Sequence, residues 1–343
     1  MLNAVATTQQ NSPVDRRPPV PLPQVLGKTL PSDQDLIERL NDRVAPIHLR
    51  QRLGIESDHE ARVLGRGLKF FHLENWYSVH SLIRTSLRLS LLLGRGRRNT
   101  RRIELRHNTV PISGLPVAFE GLKILHLSDL HIDMHGDFPQ VLAERVQAID
   151  YDICVMTGDY RYKTFGSCEA ALKGLGRLRS QLKDPIYAVL GNHDSVKMVP
   201  AMEDLGIRVL LNESIAINRG GAVLHLAGID DPHYYRTDNL ERACDGIDPR
   251  DVAVLLAHSP EVYKQAAHAG FKLLLCGHTH GGQICLPGQW PIIYDAKCPR
   301  RMARGAWRYH DLQGYTSAGA GSSIVEVRIN CPPEITVHCL CHA

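Results

Sequence analysis

"FKLLLCGHTHGGQ", residues 271–283, places two histidines one residue apart directly after an apolar run. The run has the length and the leucine content of a strand that is buried on both faces. His278 and His280 follow at its carboxyl end, with Gly277 and Gly281 beside them. Glycine allows tight turns and close backbone approach, so this arrangement is typical of a binding site at the edge of a sheet.

Four further apolar runs end in the same way. They are "LKILHLSDLH" (122–131), "YDICVMTGDY" (151–160), "PIYAVLGNHD" (185–194) and "VAVLLAHSP" (252–260). Each ends at side chains that are able to bind a metal ion, namely Asp129 and His131, Asp159, Asn192 and His193, and His258. Because ligands of open α/β sheets gather outside the carboxyl ends of the strands, we expect these side chains to line one crevice.

Amphipathic stretches separate most of these runs, and the alternation of strand and helix predicts an α/β domain. The helix-like stretches are "FPQVLAERVQAI" (138–149), "CEAALKGLGRLRSQL" (168–182) and "SPEVYKQAAHAG" (259–270). Three β-like runs between residues 207 and 229, together with "GSSIVEVRIN" (321–330) and "EITVHCL" (334–340), predict further strands. The mixture favours two packed sheets with helices outside over a single doubly wound sheet.

The chemistry of the strand ends predicts a metal site. Successive side chains of a strand point to opposite faces, so the i, i+2 spacing of Asp129 and His131, and of His278 and His280, predicts that each pair shares a side. Imidazole, carboxylate and amide groups together suit Mn, Fe or Zn. Seven such groups exceed the needs of one ion and predict two divalent ions, with manganese favoured. A carboxylate shared between the ions would help to convert a bridging water into hydroxide.

The motifs "DLH", "GDY", "GNHD", a lone histidine and "GHTH", in this order, resemble those of the calcineurin-like metallophosphoesterases. The resemblance covers about residues 102–343. It implies a four-layer α-β-β-α sandwich of two mixed sheets flanked by helices, and a dinuclear centre that hydrolyses phosphoric esters or anhydrides.

The resemblance also implies roles for individual residues. Asp129, His131 and His280 would hold the first metal ion, Asn192, His258 and His278 the second, and Asp159 would bridge them. His193 would contact the scissile phosphate and assist the leaving group, with Asp194 as its orienting partner. Arg161 is a candidate substrate-binding residue because it lies next to the ligand set in the sequence.

Details of the sequence narrow the branch of the family. The "GHTHGGQ" stretch with a following Pro287-Gly288, and "VRINCPPEI" (327–335), resemble bacterial phosphodiesterases, among which is a UDP-2,3-diacylglucosamine pyrophosphatase of lipid A synthesis. We therefore expect an amphiphilic phosphodiester or pyrophosphate substrate. The alternatives are a soluble phosphodiesterase or nuclease without lipid preference, and a metal-loaded scaffold without catalytic activity.

The first hundred residues differ from the rest in composition and in the pattern of apolar residues. Residues 1–34 are proline-rich and polar and predict a disordered lead-in, and residues 35–101 predict a helical extension before the domain at 102–343. Within residues 68–102, an amphipathic helix precedes a cluster of arginines. This segment predicts peripheral contact with an anionic membrane, or else a helix packed on the catalytic domain. The concentration of arginines favours the membrane.

Composition sets broader limits. The 343 residues carry a net charge of +4, too small a surplus to predict nucleic-acid binding. No apolar signal-peptide core opens the chain, and no run is long enough to predict a membrane-spanning helix. The nine cysteines follow no disulfide framework. We expect a cytoplasmic protein that contacts the inner face of the cytoplasmic membrane peripherally.

Overall fold

The computed structural model of the protein describes residues 30–64 and 77–343. Most of the predicted lead-in, and residues 68–76 of the predicted membrane segment, lie outside these residues. The first helix begins at Asp33, slightly before the predicted boundary at residue 34, and Ser32 caps it by accepting a hydrogen bond from the amide of Asp35.

Nine α-helices are described in these two ranges. They are α1 (Asp33–Leu40), α2 (Pro46–Leu64), α3 (Tyr77–Leu89), α4 (Leu93–Asn99), α5 (Phe138–Gln147), α6 (Glu169–Arg179), α7 (Val199–Asp204), α8 (Leu240–Ala243) and α9 (Tyr263–His268).

Fourteen strands follow the same chain order within the described residues. They are β1 (Glu104–Ile112), β2 (Lys123–Leu127), β3 (Ile153–Thr157), β4 (Ile186–Val189), β5 (Ile207–Val209), β6 (Glu213–Arg219), β7 (Ala222–Gly228), β8 (Val252–Leu256), β9 (Leu273–Cys276), β10 (Cys285–Leu286), β11 (Trp290–Pro291), β12 (Gly305–Tyr309), β13 (Leu312–Thr316) and β14 (Glu334–His342).

Two mixed six-stranded sheets form the centre of the described part of the chain. The first has the order β1-β14-β2-β3-β4-β5 and the second β12-β13-β9-β8-β7-β6, while β10 and β11 form a separate ribbon. One apolar cluster joins the facing sides of the two sheets, and two others join their outer sides to helices. The predicted four-layer arrangement is confirmed.

The central strands read as continuous apolar runs because both of their faces are buried. In β2, Ile124 points to the cluster between the sheets, while Leu125 and Leu127 point to the cluster beneath the outer helices. In β9, Leu273 and Leu275 face the inner cluster and Leu274 faces the outer one. Burial on two sides removes the polar alternation that a half-exposed strand would show.

One predicted strand is wrong. "GSSIVEVRIN" forms no regular strand and makes a single bridge, between Ile329 and Ile284. Its apolar residues Val325 and Val327 instead pack with Leu87 of α3 in a small separate cluster, and the side chain of Arg328 is fully buried. The alternating apolar side chains of this segment therefore pack against a helix and not against a neighbouring strand.

The first part of the N-terminal extension docks on the domain through a buried cation. Arg52 of α2 is completely buried, lies 3.4 Å from an Asp230 carboxylate oxygen, and stacks over the ring of Tyr235 at 3.3 Å. It also donates a hydrogen bond to the carbonyl of Asp194. Burial lowers the pKa of Arg52, but Asp230 and Glu56 outweigh it, so the guanidinium stays charged. A buried charge requires such partners, so these contacts fix where α2 lies.

We predict that Asp230→Ala lowers the free energy of unfolding by about 3–5 kcal/mol, because the substitution leaves the Arg52 guanidinium buried without its closest carboxylate on the domain. Chemical denaturation measures the change. Asp204→Ala is the matched control, since it also removes an arginine partner, but that partner, Arg39, is 41% exposed, and the expected loss is below about 1 kcal/mol. Equal losses in the two variants would contradict the assignment of Arg52 as the docking cation.

Candidate metal centre

The loops that follow β2, β3, β4, β8 and β9 meet at one edge of the sandwich. Their His and Asp side chains form two groups whose ligand-type atoms lie within 4.8 Å of one another, and every member of both groups is buried. The first group contains Asp129, His131, Asp159 and His280, and the second contains Asp159, His258 and His278. The structure thus brings the predicted side chains together, with Asp159 in both groups.

Short distances between ring nitrogens and carboxylate oxygens define the first group. The Nε2 atoms of His131 and His280 are 3.1 Å apart. His280 Nε2 lies 3.6 Å from Asp129 Oδ1, and His131 Nε2 lies 3.7 Å from Asp159 Oδ2.

The second group centres on His258. Its Nε2 lies 2.9 Å from Asn192 Oδ1, 3.2 Å from His278 Nδ1 and 3.3 Å from Asp159 Oδ2. Asn192, which the sequence also predicts as a ligand, is therefore part of this group through its amide oxygen.

The predicted reason for the i, i+2 spacing is wrong. Asp129 and His131 have φ values of 50° and 39°, and His278 and His280 have 70° and 50°, so these residues form tight turns beyond the strands. The two "GHTH" histidines do not share a side, because His278 joins the second group and His280 the first. Left-handed backbone at non-glycine residues costs about 1–3 kcal/mol each and persists only where the surroundings enforce it.

Glycines at these turns leave room for the ligand-type side chains. A Cβ on Gly277 would overlap Ser128 Oγ and Asp129 Oδ2, and one on Gly191 would overlap Asp159 Oδ1. Only a residue without a side chain permits this approach of backbone to carboxylate.

The donor chemistry fits metal ions. His258 Nδ1 lies 2.7 Å from the carbonyl of Thr157, and His131 Nδ1 lies 2.9 Å from the carbonyl of Arg161. A carbonyl only accepts, so each Nδ1 carries a proton, and each Nε2 has a lone pair for a metal ion whenever the ring is neutral. Such a mixed set of nitrogen and oxygen donors suits Mn, Fe or Zn.

Protonation compensates for the crowded acceptors in the metal-free protein. Burial would lower the pKa of His258, but Asp159 raises it to about 10, so this imidazole carries a proton. Burial and Asp159 together raise the pKa of Asp129 to about 7. Burial, His131 and Arg328 lower the pKa of His280 well below its usual value, which keeps that ring neutral. Metal binding would displace the proton on His258, as is general for metal sites.

His193 lies beside both groups. Its amide donates to Asp159 Oδ1 at 2.9 Å, and its ring meets the His131 ring edge-on with centroids 4.8 Å apart. Its Nδ1 lies 2.7 Å from the carbonyl of Tyr162, which orients the ring.

The Asp194 carboxylate is bonded to backbone amides, and its role in orienting His193 stays a prediction. Both oxygens of the buried Asp194 carboxylate accept hydrogen bonds from backbone amides, those of Asp159, Tyr160 and Gly191, at 2.7–2.9 Å. Asp194 therefore fixes the loops after β3 and β4 relative to each other. Burial and Asp159 raise the pKa of Asp194 to about 6.

Arg161 does not have the open guanidinium that substrate binding requires. The side chain is buried and donates to the carbonyls of His193, Thr164 and Gly166 and to the sulfur of Cys168. These contacts support the loop that carries His193, and nothing in them favours the predicted contact with substrate.

Two residues near the site were not predicted from the sequence. Arg328 is fully buried and donates to the carbonyls of His280, Gly319 and Gly321, which holds the "GHTH" loop in place. The ring centroid of His233 lies 4.2 Å from that of His278 with the two planes tilted by 47°, and His233 Nδ1 lies 3.1 Å from Glu261 Oε1. An arginine within an apolar run was a usable sign of a buried cation at Arg328, whereas nothing in the sequence places His233 beside His278.

Comparisons with known proteins agree with this geometry. The family model for calcineurin-like phosphoesterases matches residues 122–282. The uncharacterized metallophosphoesterase YkoQ of Bacillus subtilis is 31% identical over 259 residues, which are 72% of this chain and 93% of YkoQ. The chain belongs to the calcineurin-like metallophosphoesterase family.

Two other members of this family are similar to the chain. Phosphodiesterase YaeI of Escherichia coli is 26% identical over 238 residues, which are 63% of this chain and 80% of YaeI. A bovine transmembrane protein with a metallophosphoesterase domain is 33% identical over 249 residues, which are 66% of this chain and 54% of the bovine protein. In the described ranges of this metallophosphoesterase, no helix is long and apolar enough to cross a membrane.

We predict that the native protein, loaded with Mn²⁺ and desalted, holds about two ions per chain, as the capacity of the donor set indicates. Asp159→Ala removes the residue common to both groups and lowers the content well below one ion. His258→Ala leaves the Asp129, His131 and His280 donors intact and retains about one. Elemental analysis by mass spectrometry measures the metal content. The control is Asp152→Ala, which changes a half-exposed aspartate outside both groups. Unchanged content in Asp159→Ala would contradict its shared position.

Proposed function

We propose that the chain hydrolyses a phosphodiester or pyrophosphate bond. The observation that carries this proposal is the pair of His/Asp groups that share Asp159, directly beside His193. Divalent cations bound there would neutralise charge on the phosphoryl oxygens and lower the pKa of bound water. By the distances above, Asp129, His131 and His280 would hold one cation, and Asn192, His258 and His278 the other, with Asp159 between them. Manganese is the metal that we propose first.

In this proposal His193 acts on the leaving group. The Tyr162 carbonyl holds the Nδ1 proton, so the ring keeps one orientation while Nε2 exchanges a proton. The ring stands next to His131, one of the proposed metal ligands. A proton delivered from this position to the departing oxygen is general-acid catalysis.

We predict that the Mn²⁺-loaded protein hydrolyses bis(p-nitrophenyl) phosphate and that His193→Ala lowers kcat by about 10²–10⁴-fold, the usual contribution of a positioned acid or base. Release of p-nitrophenolate measures the rate, and elemental analysis verifies that the variant keeps its metal. The exposed His107→Ala on edge strand β1 is the control. If chelation left the rate unchanged, or if His193→Ala were as active as the native protein, the proposed chemistry would be refuted.

We propose further that the substrate is amphiphilic, and UDP-2,3-diacylglucosamine of lipid A synthesis is the first candidate to test. The support comes from α3, which packs Leu87 on Val325 and Val327 yet leaves Leu82 67% and Leu89 81% exposed. One apolar side of the helix thus packs on the domain, and the exposed leucines face outward. Exposed leucines of this kind suit contact with lipid.

Peripheral contact with an anionic membrane through residues 68–102 belongs to the same proposal. Arg97 and Arg101 form ion pairs with Glu326 and Asp137. Arg95, Arg98 and Arg102 are exposed on the segment after α3. Deleting residues 1–101 would also remove Arg52, so substitution of arginines is the cleaner test.

We predict that the triple variant Arg95→Gln, Arg98→Gln, Arg102→Gln binds vesicles containing phosphatidylserine about a hundredfold more weakly, since each basic residue near an anionic surface contributes about 1 kcal/mol. Vesicle flotation measures the binding. A triple variant with the same net charge, Arg50→Gln, Arg219→Gln, Arg250→Gln, changes exposed arginines elsewhere and should bind as the native protein does. Equal losses in both triples would indicate a general charge effect and would contradict a specific membrane-contacting segment.

A further inference from the structure

A groove lined by apolar side chains lies between α3 and the segment around the β10–β11 ribbon. Its volume is about 520 Å³. The walls are formed by Leu82 and Ile83 of α3, by Ile284, Ile292 and Ile293, and by Ile324. Ile292 and Ile293 are 54% and 64% exposed, which is uncommon for neighbouring isoleucines. Contiguous exposed apolar surface of this kind usually marks a binding site.

The inner end of the groove is the candidate metal centre. His278, Thr279 and His280 line this end, so the groove and the two His/Asp groups share a wall. A molecule that fills the groove therefore has one end beside the proposed metal ligands. This continuity favours a substrate over a partner that would bind the outer surface of the protein.

The chemistry of the walls selects the part of the substrate that fits. Aliphatic side chains supply most of the exposed surface of the groove and offer no hydrogen bonds, and the Gln283 amide that also lines it is already bonded to the backbone of Ser323. A peptide in this position would bury amide groups without partners, at a cost of about 1–3 kcal/mol each. A hydrocarbon chain has no such groups and gains about 0.8 kcal/mol for each methylene removed from water.

We infer that the groove holds one hydrocarbon chain of a lipid-like phosphoester whose phosphate lies at the metal centre. This inference rests on the proposed phosphoesterase function and specifies its substrate class. The open outer side of the groove is flanked by Leu82 and Ile293, so these two residues set the preference for long chains.

The test compares two soluble diesters, methyl p-nitrophenyl phosphate and dodecyl p-nitrophenyl phosphate, below the micellar concentration and with Mn²⁺-loaded protein. The native protein should show a kcat/KM at least a hundredfold higher for the dodecyl ester, which corresponds to burial of about four methylenes. Leu82→Glu and Ile293→Glu should each lower the dodecyl-to-methyl ratio at least tenfold, because a carboxylate at the mouth opposes entry of an apolar chain.

Val117→Glu is the matched control, since Val117 is 81% exposed and does not line the groove, and its ratio should equal that of the native protein. A native ratio near one, as expected if a segment of this chain or a second copy fills the groove, would overturn the inference. So would a ratio that falls equally in Val117→Glu.

A binding measurement separates the inference from the proposed function. Calorimetry with dodecyl phosphate and methyl phosphate on the metal-loaded protein needs no turnover. If neither diester is hydrolysed but dodecyl phosphate binds at least tenfold more tightly and Leu82→Glu abolishes the difference, the proposed hydrolysis fails while the groove assignment stands. Equal affinities for the two phosphates would refute the groove assignment directly.

Discussion

The structure depends on histidine nitrogens and carboxylate oxygens that converge on one buried point. Atoms of the same polarity, from loops of both sheets, approach within 3–4 Å around the Asp159 carboxylate. Such an arrangement is unfavourable unless protons or a cation offset the repulsion. The surrounding contacts hold this unfavourable geometry: Asp194 accepts hydrogen bonds from three loop amides, Arg328 donates to the His280 carbonyl, and Gly191 and Gly277 leave space for carboxylates.

Much of the fold and the membership of the site follow from the sequence because the central strands are buried on both faces. Their uninterrupted apolar runs mark where each strand ends, and strand ends are where the metal-binding residue types occur. The local path beyond each strand does not follow, since turns with left-handed φ at Asp129 and His278 depend on contacts from other loops. The partners of Asp194 and Arg161 were missed for the same reason: each bonds to backbone groups, which carry no sequence signal.

The extension before the domain has two physically different parts. Residues of α1 and α2 belong to the core, where Leu36, Leu40 and Leu49 join the cluster beneath the first sheet and Arg52 bonds within the domain. Helix α3 is packed on one side only. That side contacts the segment around Val325, and the other is exposed beside the groove. The same stretch of sequence therefore combines a structural role with an exposed apolar surface.

The buried position of Arg52 has a consequence for synthesis of the chain on the ribosome. The carbonyl that it contacts belongs to Asp194, 142 residues later, and its carboxylate partner Asp230 is translated later still. Helix α2 is synthesised long before either partner. The Arg52 guanidinium must therefore stay hydrated until both Asp194 and Asp230 have been synthesised. Helix α2 thus reaches its native contacts only well after its own synthesis.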